Sequence, residues 1–245
     1  MRPIRRGDSP QLNDFADYKD AKPFLVSRLG LYCSYCERRI VTLLAVEHVQ
    51  PKDGPHGHPH LIGRWWNFLL ACPNCNSTKK DKKIVLAEVL LPDRDNTFAA
   101  FTYLPDGTVQ PAAGLTPVLL NKATHTLGLT GLDKEGNEAF DENSKLIALD
   151  RVSQRMEAWG IAEAARLDVD AHPNNDAVKR GAVRTAKESG FFSIWMTVFS
   201  NNPDMRNRFI DAFEGTRGSG CFDAVTTQPI SPSSNPDNLL DGAKI

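Results

Sequence analysis

Short apolar runs bounded by turn-forming residues mark the first half of the chain. Residues 40–46, Ile-Val-Thr-Leu-Leu-Ala-Val, are β-branched and apolar, which predicts a strand that leads into Glu47 and His48. Two further apolar runs, residues 98–103 and 108–110, lie on either side of a Pro-Asp-Gly sequence. Because that sequence is typical of a tight turn, the two runs predict a β-hairpin.

Apolar positions at helical spacing dominate the chain from about residue 144 onward. After a first helix that begins near residue 144, a second is predicted over residues 176–188 and a third over residues 191–199. A fourth begins at Asn202, an N-capping residue that precedes a proline suited to the first helical position. Residues 21–31 predict a short helix near the start of the chain. The stripe of the first C-terminal helix comprises Leu146, Ile147, Leu149, Val152, Met156 and Trp159. We expect these helices to form a packing layer, with a partner-docking surface as the alternative.

Composition and pattern divide the chain into four predicted regions. Residues 1–92 hold four of the cysteines and the catalytic candidates, and residues 93–140 form the hairpin and a connector. Residues 141–214 are mainly helical. Residues 215–245 are rich in Gly, Ser, Pro and Asn, which predicts a flexible, poorly packed tail. The fold class expected from this order of elements is α+β.

The sequence pattern favours a cytoplasmic protein. No apolar run approaches the ~20 residues that a membrane-spanning helix needs. The basic start of the chain, with Arg2, Arg5 and Arg6, is not followed by an apolar segment, so we expect no signal peptide. These three arginines are expected either to touch nucleic acid or to belong to a flexible basic tail.

Charge is unevenly distributed along a chain with a formal net charge of −1 and an ordinary hydrophobic fraction of 41%. Residues 1–90 contain 14 Lys or Arg against 9 Asp or Glu, whereas the rest contains 15 against 21. The protein is therefore not a polycation overall. A basic front half is expected where phosphate groups dock, and chance asymmetry is the alternative.

Two Cys-x-x-Cys pairs, Cys33 with Cys36 and Cys72 with Cys75, account for four of the five cysteines. Each pair offers two thiolates from one tight turn, and four thiolates complete a closed tetrahedral site without an open position for substrate. We therefore predict a structural Zn²⁺. Unrelated buried cysteines and a redox pair are the alternatives. Free thiols fit a reducing compartment, and Cys221 is interpreted as incidental.

Polar residues suited to phosphodiester hydrolysis lie between and just after the cysteine pairs. Glu47 supplies a hard oxygen ligand for Mg²⁺ or Mn²⁺, and His48 is the residue type that suits a general base near neutral pH. Neighbouring side chains on a strand point to opposite faces, so the acid can bind metal while the imidazole meets a water. Asn67 is expected to fix a loop carbonyl or to orient the histidine ring. Asn76 is expected to offer a second oxygen to the same cation.

Three lysines of the cluster that follows the last cysteine, Lys79, Lys82 and Lys83, are predicted to contact substrate phosphate. The alternative is a solvated helix face, which is a common location for lysine runs. Position beside the proposed cation favours the phosphate interpretation.

Other histidines and aromatic residues in this half are interpreted as structural. His56, His58 and His60 alternate in a loop rich in Gly and Pro, which favours an exposed loop over a metal site. The tryptophans at residues 65–66 are more typical of core packing than of base stacking. His125 is expected to be a satisfied structural histidine.

The Glu47-His48 pair, the central Asn67 and residues 75–79 (Cys-Asn-Ser-Thr-Lys) resemble the HNH family of His-Me finger nucleases, whose site is a ββα-metal unit. The resemblance implies a metal-binding acid, a general-base histidine and a structural asparagine at these first three positions. The last position, a second metal ligand in the family, is Asn76 here rather than a histidine. This resembles the H-N-N variant of phage junction resolvases, and it favours Mg²⁺ or Mn²⁺ over softer metals.

The layout of the whole chain resembles the PtuB-like nuclease subunit of Septu-type and retron-linked anti-phage systems. Residues 92–98 (Pro-Asp-Arg-Asp-Asn-Thr-Phe), residues 127–129 (Leu-Gly-Leu) and the helical C-terminal region carry this wider likeness. The family-specific motifs are confined to residues 33–83. The resemblance implies a partner, namely a separate ABC-type ATPase subunit that is PtuA-like.

The function expected from these features is metal-dependent cleavage of DNA, or of RNA such as tRNA, by an effector nuclease of anti-phage defence. The expected fold is a zinc-stabilised ββα-metal module with a β-hairpin and a mainly helical C-terminal region. The rival function is a non-catalytic zinc-knuckle adaptor for nucleic acid or protein. Such an adaptor has no need of the Glu47-His48 arrangement.

Overall fold

Two small antiparallel sheets lie among helices in the computed structural model, which describes residues 1–134 and 151–245. The helices in chain order are α1 (Lys22–Leu29), α2 (Pro73–Lys79), α3 (Thr97–Ala100), α4 (Pro117–Thr130), α5 (Arg151–Ala171), α6 (Asp176–Ser189), α7 (Phe192–Val198) and α8 (Pro203–Ala212). The strands are β1 (Ala45–His48), β2 (Phe68–Ala71), β3 (Phe101–Tyr103) and β4 (Val109–Pro111). This mixture of helix and small sheets confirms the α+β fold class.

The first sheet and helix α2 form a ββα unit in the cysteine-rich region. Strands β1 and β2 pair in an antiparallel register that sets Glu47 opposite Leu69 and His48 opposite Phe68. Strand β2 is buried along its whole length, and helix α1 packs against it. A short 3-10 turn, Tyr18–Ala21, leads into α1 and contacts β1. The N-terminal part of the chain therefore packs onto the unit that carries the candidate site.

The strand predicted over residues 40–46 begins later than the apolar pattern indicates. Residues 41–43 form a bend, and pairing with β2 starts only at Ala45. Val41 and Leu43 are 62% and 77% exposed, and Leu43 adopts a left-handed φ of +61°. Strand structure requires a partner for its backbone hydrogen bonds, and β2 offers a partner only to residues 45–48.

The C-terminal helices follow the predicted spacing closely where the structure describes them. Helix α6 begins after Asn175, whose side chain accepts hydrogen bonds from two amides of its first turn. Helix α8 begins after Asn202, whose Oδ1 accepts from the Met205 amide at 3.0 Å. Helix α5 packs on α6 and α7, and α8 packs on both of these, so the apolar stripes form a packing layer. Residues 144–150 of the predicted first helix, and the predicted boundary at residue 141, lie outside the described residues.

Helix α4 is a feature that the sequence interpretation overlooks by assigning residues 93–140 to a hairpin and connector. Thr116 caps its start by accepting a hydrogen bond from the Leu119 amide, and Pro117 occupies its first position. Gly131 ends it with a φ of +65°. These are the standard start and stop signals of a helix. The hairpin itself forms as predicted between β3 and β4, although residues 97–100 turn as α3 before it.

Two of the three N-terminal arginines, Arg2 and Arg6, are buried ties rather than a basic tail or a free nucleic-acid contact, whereas Arg5 is exposed and pairs with Asp237 at 2.6 Å. Arg2 donates to carbonyls of Leu29 and Glu214, at 2.7 and 2.6 Å, and is 3% exposed. Arg6 is also buried, donates to carbonyls at the start of β2, and pairs with Asp93 at 2.9 Å. Both arginines satisfy backbone carbonyls that would otherwise lie buried without partners.

Residues 215–245 pack against the body of the protein, which corrects the expectation of a flexible tail. The Asn96 side chain donates at 2.8 Å to two carbonyls of this segment, those of Cys221 and Ile230. Lys244 pairs with Asp95 at 3.0 Å, and Arg94 donates to the Leu240 carbonyl. Hydrogen bonds to buried side chains of residues 93–97, not apolar area alone, hold this Gly- and Ser-rich segment in place.

None of the helices in the described residues combines the length and the hydropathy required to cross a membrane.

Candidate active site

The four cysteines predicted to bind zinc converge in space. Their sulfur atoms all lie within 4.8 Å of one another, and all four residues are buried. The sulfurs of Cys36 and Cys72 are 3.7 Å apart, close to the edge of about 3.8 Å expected for a tetrahedron with Zn–S bonds of about 2.3 Å. The cluster of Cys33, Cys36, Cys72 and Cys75 can therefore hold a zinc ion with no position left for substrate.

Local turns of the backbone bring the two thiols of each pair together. In the first pair, the Glu37 amide donates to the Cys33 carbonyl at 2.9 Å, and Glu37 adopts a φ of +64°. In the second, Cys72 is the N-cap of α2, and its sulfur accepts a hydrogen bond from the Cys75 amide at 3.4 Å. Ser34 donates to a β2 carbonyl at 2.8 Å, which joins the first pair to the sheet.

The helical region contacts this cysteine cluster directly. Arg151, at the start of α5, lies with its guanidinium 3.8 Å from the Cys75 sulfur and donates to the Thr130 carbonyl at 3.1 Å. Glu37 accepts hydrogen bonds from the amide and hydroxyl of Ser193 at 2.7 and 2.6 Å. Beside thiolates, the Arg151 cation would offset negative charge, and the Ser193 contacts join α7 to the turn of the first cysteine pair.

Glu47, His48 and Asn76 line one cleft of about 850 Å³. The first two lie at the end of β1, and the third lies on the second turn of α2. The structure therefore brings together the acid, the imidazole and the carboxamide that the sequence pattern predicts to converge. The cysteine cluster lies at the junction of β2 and α2, so it fixes the helix that carries Asn76 against the strands that carry the other two.

His48 is held in one orientation. Its Nε2 lies 3.0 Å from the Ile62 carbonyl, so this nitrogen carries the proton and Nδ1 is left as the basic atom. The rings of Tyr18 and Phe68 meet it edge-on, with centroid distances of 4.8 and 5.2 Å. Burial lowers the pKa of His48, and the nearby ammonium groups of Lys52 and Lys79 lower it further. The imidazole is therefore neutral at pH 7, as a general base must be.

Glu47 forms a buried ion pair that the sequence interpretation misses. The Lys79 ammonium lies 2.7 Å from its Oε1 and donates to the His48 carbonyl at 2.7 Å. The two side chains are 3% and 2% exposed, and Tyr35 donates weakly to the same Oε1 at 3.4 Å. Burial raises the pKa of Glu47, and the charge of Lys79 opposes that rise. This arrangement does not support the predicted contact of Lys79 with phosphate, because its ammonium is already occupied within the module.

Asn67 lies in the loop next to His48 and not in the cleft. Its Oδ1 accepts from the Gln50 amide at 2.8 Å, and its Nδ2 donates to the carbonyls of Gln50 and Leu61 at 3.0 and 3.4 Å. Leu61 immediately precedes Ile62, whose carbonyl accepts the hydrogen bond from the His48 ring. Of the two roles expected for Asn67, the structure favours the fixing of loop carbonyls, which acts on the histidine ring only through the loop.

Two oxygen donors remain for a hard cation in the cleft. In the described part of the chain, Oε2 of Glu47 accepts no hydrogen bond, and the Asn76 side chain forms none. A carboxylate and a carboxamide oxygen are the ligand types that Mg²⁺ and Mn²⁺ prefer. The residues present therefore fit the predicted catalytic cation.

Lys82 and Lys83 lie on a different surface from the candidate site. Both line a second cleft of about 460 Å³, together with α4 residues that include His125 and Gly128. Lys82 donates to the Gly128 carbonyl at 3.2 Å. The predicted contact of these lysines with phosphate at the scissile bond is not supported by this placement, because the chain leaves the lining of the first cleft after Asp81.

The histidine-rich loop and the tryptophans follow the structural interpretation in part. His56 and His60 are exposed, and no group of metal-binding residues that includes them is found among the described residues. Trp65 is buried and stacks on Phe15 at 6.0 Å, whereas Trp66 is partly exposed. His125 is exposed on α4 and its side chain forms no hydrogen bond with the described residues, so it is not the satisfied structural histidine that the sequence predicts.

Several residues that line the cleft come from outside the predicted motif. The 3-10 turn and the start of α1 contribute Tyr18, Lys19 and Lys22. Lys52 follows the Glu47-His48 pair in the chain, and Lys80 directly follows α2. Of the first three, only Lys22 falls in the helix predicted over residues 21–31, and Tyr18 and Lys19 are assigned no role from the sequence. Lysine content alone does not distinguish a cleft from an open surface.

Comparison with known proteins supports the same chemistry. Residues 33–82 match the family model described as HNH endonuclease. This segment spans both cysteine pairs, the Glu47-His48 pair, Asn67 and Asn76.

A second comparison finds similarity beyond that segment. The chain is 28% identical over 143 residues to a protein of Vibrio cholerae serotype O1 biovar El Tor named "Retron Vc95 putative HNH endonuclease". The aligned part covers 53% of this chain and 68% of the relative. The 143 aligned residues are more than the matched domain contains, so the similarity extends beyond residues 33–82.

Proposed function

We propose, from the HNH endonuclease domain that residues 33–82 of this chain form, that the protein hydrolyses phosphodiester bonds of nucleic acid with a catalytic Mg²⁺ or Mn²⁺. One observation carries the proposal: the Glu47 carboxylate, the oriented His48 ring and the Asn76 amide line a single cleft. A binding module without catalysis has no use for a neutral, oriented imidazole beside a buried carboxylate.

His48 acts as the general base in this proposal. Its Nε2 proton is held by the Ile62 carbonyl, so Nδ1 accepts the proton of the attacking water. The lowered pKa keeps the ring neutral and ready to accept that proton at pH 7. Phe68 and Tyr18 restrict rotation of the ring, which keeps Nδ1 directed at one position.

Glu47 and Asn76 would hold the catalytic cation through carboxylate and carboxamide oxygens. When bound, a divalent cation offsets the negative charge that develops on the phosphate and the leaving oxygen. Lys79 links the Glu47 carboxylate to the His48 carbonyl, and this link positions the acid relative to the base. The four cysteines hold a structural Zn²⁺ that fixes α2, and with it Asn76, against the sheet.

The substitution His48→Ala tests the assignment. We expect it to reduce the rate of plasmid or RNA cleavage in Mg²⁺ by roughly 10²–10⁴-fold, the usual contribution of a general base. Zinc content and the far-UV circular dichroism spectrum should stay those of the wild type, because the buried ring forms a single hydrogen bond with the residues that the structure describes. A variant that cleaves as fast as the wild type would remove His48 from the mechanism.

The wider role proposed for the protein is that of the effector nuclease in an anti-phage defence complex of the Septu type. Its similarity to a retron-associated relative supports this role, and so does its pairing of a nuclease domain with a helical region. The proposed partner is a separate ABC-type ATPase subunit in the cytoplasm. Co-purification with the product of the neighbouring gene, followed by plaque assays with and without His48→Ala, tests this role. Loss of protection with the variant is the expected result.

A further inference from the structure

The cleft has a second wall that lies before the matched family segment. This N-terminal wall, defined as residues 18–22, consists of the 3-10 turn and the first residue of α1. Tyr18 lies edge-on to the His48 ring, and Ala21 behind it is fully buried. Helix α1 continues the wall and packs against β2 through Leu25 and Leu29. The wall is therefore anchored to the catalytic unit at both of its ends.

The charges of the cleft divide into paired and unpaired groups. Lys79 is paired with Glu47, and Lys52 is paired with Asp53 at 2.7 Å. Within the described parts of the chain, Lys19, Lys22 and Lys80 also line the cleft and form no ion pair. Among the described lining residues, the unpaired carboxylate that faces these three lysines is Asp81. The cleft thus keeps an excess of positive charge after its internal pairs are formed.

The three unpaired lysines lie on opposite walls of the cleft. Lys19 and Lys22 belong to the N-terminal wall, and Lys80 directly follows α2 on the other side. Lys80 adopts a φ of +49°, in the left-handed region that a lysine rarely occupies. This conformation ends α2, and the exposed Lys80 side chain lines the cleft directly after the helix.

We propose that Lys19, Lys22 and Lys80 bind backbone phosphates of the nucleic acid, so that the N-terminal wall is a substrate-binding surface. The inference rests on the proposed nuclease function, and it replaces Lys79, Lys82 and Lys83 as the phosphate contacts. Unpaired ammonium groups on both walls of a cleft that holds a phosphodiester-cleaving site match the charge of a nucleic-acid backbone. Such contacts position the strand without reading its sequence.

The test measures how binding depends on salt, because each phosphate contact releases counterions. The parent protein is the full chain with His48→Ala, which prevents cleavage during the measurement. Its affinity for single-stranded DNA, duplex DNA and tRNA is measured between about 50 and 200 mM salt. Replacing Lys19, Lys22 and Lys80 by Gln is expected to reduce the slope of log Kd against log salt by about 2 to 3, roughly one unit per lost contact.

A charge-matched control separates specific contacts from net charge. The substitutions Lys82→Gln, Lys83→Gln and Lys134→Gln remove the same charge from exposed lysines that do not line the cleft. We expect this control to bind with the slope of its parent. Zinc content and thermal unfolding of both triple variants check that each remains folded.

The outcomes are distinct. Equal changes in both triple variants, or a change in the control alone, would overturn the proposal and assign binding to net charge or to the second cleft. An unchanged slope in the cleft variant would also overturn it, and would indicate that these lysines bind an acidic protein partner instead of nucleic acid. If the His48→Ala parent binds with the expected slope but the wild type cleaves none of the three probes, the proposed nuclease function fails while the binding surface stands. If the wild type cleaves a probe but the His48→Ala parent shows no salt-dependent affinity for it, only the binding surface fails.

Discussion

Lys79 and Glu47 form the pair of charges on which the candidate site depends. Both side chains are almost fully buried, and the ammonium also satisfies the His48 carbonyl. Removing one partner of such a pair leaves the other charge buried without compensation, which is far more destabilising than loss of an exposed ion pair. The local role of Lys79 is therefore to position the acid and the base together.

We predict that Lys79→Met destabilises the protein by about 3–5 kcal/mol, the usual range for breaking a buried ion pair. Urea unfolding followed by circular dichroism measures the change. The matched control is Lys80→Met, because this adjacent lysine is exposed and forms no ion pair with the described residues. Similar stability of the two variants would contradict the role assigned to Lys79.

The pH dependence of cleavage is also decided at the level of single residues. Burial lowers the pKa of His48 below its ordinary value of 6.5, and the folded protein therefore holds the ring neutral to a lower pH than the unfolded chain does. A general base works only when neutral, so the single-turnover rate should stay level from pH 8 to 7 and fall as the pH drops through the lowered pKa of His48, below 6.5. A rate that already declines between pH 8 and 7 would show that the lowered pKa does not govern catalysis.

At the scale of elements, the two cysteine pairs join three segments that have little else to hold them. Strands β1 and β2 are each four residues long, and α2 has seven residues. Isolated pieces of this length do not hold their structure in water, because too little apolar surface is buried to offset their ordering entropy. A closed zinc site at the four cysteines would supply the missing free energy as part of folding.

We predict that Cys72→Ser abolishes zinc binding and unfolds the nuclease module, since Cys72 is both a sulfur donor and the N-cap of α2. Zinc analysis of the purified protein and limited proteolysis measure the two effects. Cys221→Ala is the control, because this cysteine is buried outside the cluster and burial raises its pKa to about 11, which keeps it a neutral thiol. Loss of zinc in the Cys221 variant would contradict the assigned ligand set.

At the scale of the whole molecule, both chain segments flanking the nuclease module return to a polar junction at residues 93–97. Asp93 binds Arg6 of the N-terminal segment, and Asp95 binds Lys244 of the C-terminal segment. Asn96 donates to two more carbonyls of that C-terminal segment. The sequence Asp-Arg-Asp-Asn-Thr is thus a structural junction, buried among the segments that it connects.

Deletion of residues 236–245 tests this arrangement. Removing them takes the Lys244 ammonium and amide from the buried Asp95 carboxylate and the Leu240 carbonyl from Arg94 Nη1, so we predict a clear drop in Tm and a loss of cooperative unfolding. Differential scanning calorimetry of the two chains measures the effect. An unchanged Tm of the truncated protein would instead support the flexible tail that the composition predicts.

The sequence alone was sufficient wherever a local pattern determines the geometry. Cys-x-x-Cys spacing brings two thiols together within one turn, and the Asn-Pro start of α8 and the stripes of the C-terminal helices follow from neighbours in the chain. The acid-histidine pair at a strand end likewise needs only the alternation of a strand. For the same reason, the length of β1 was misjudged, because it depends on where β2 provides hydrogen-bond partners.

The tertiary structure decided which polar groups are free and which are already engaged. The sequence alone determined the cysteine pairs and the acid, imidazole and amide of the candidate site. Only the folded chain showed that the ammonium of Lys79 is occupied, that Arg2 and Arg6 are buried, and that residues 18–22 form a wall of the cleft. Long-range packing controls burial and pairing of charges, and that packing brings together residues whose separation along the chain carries no periodic signal.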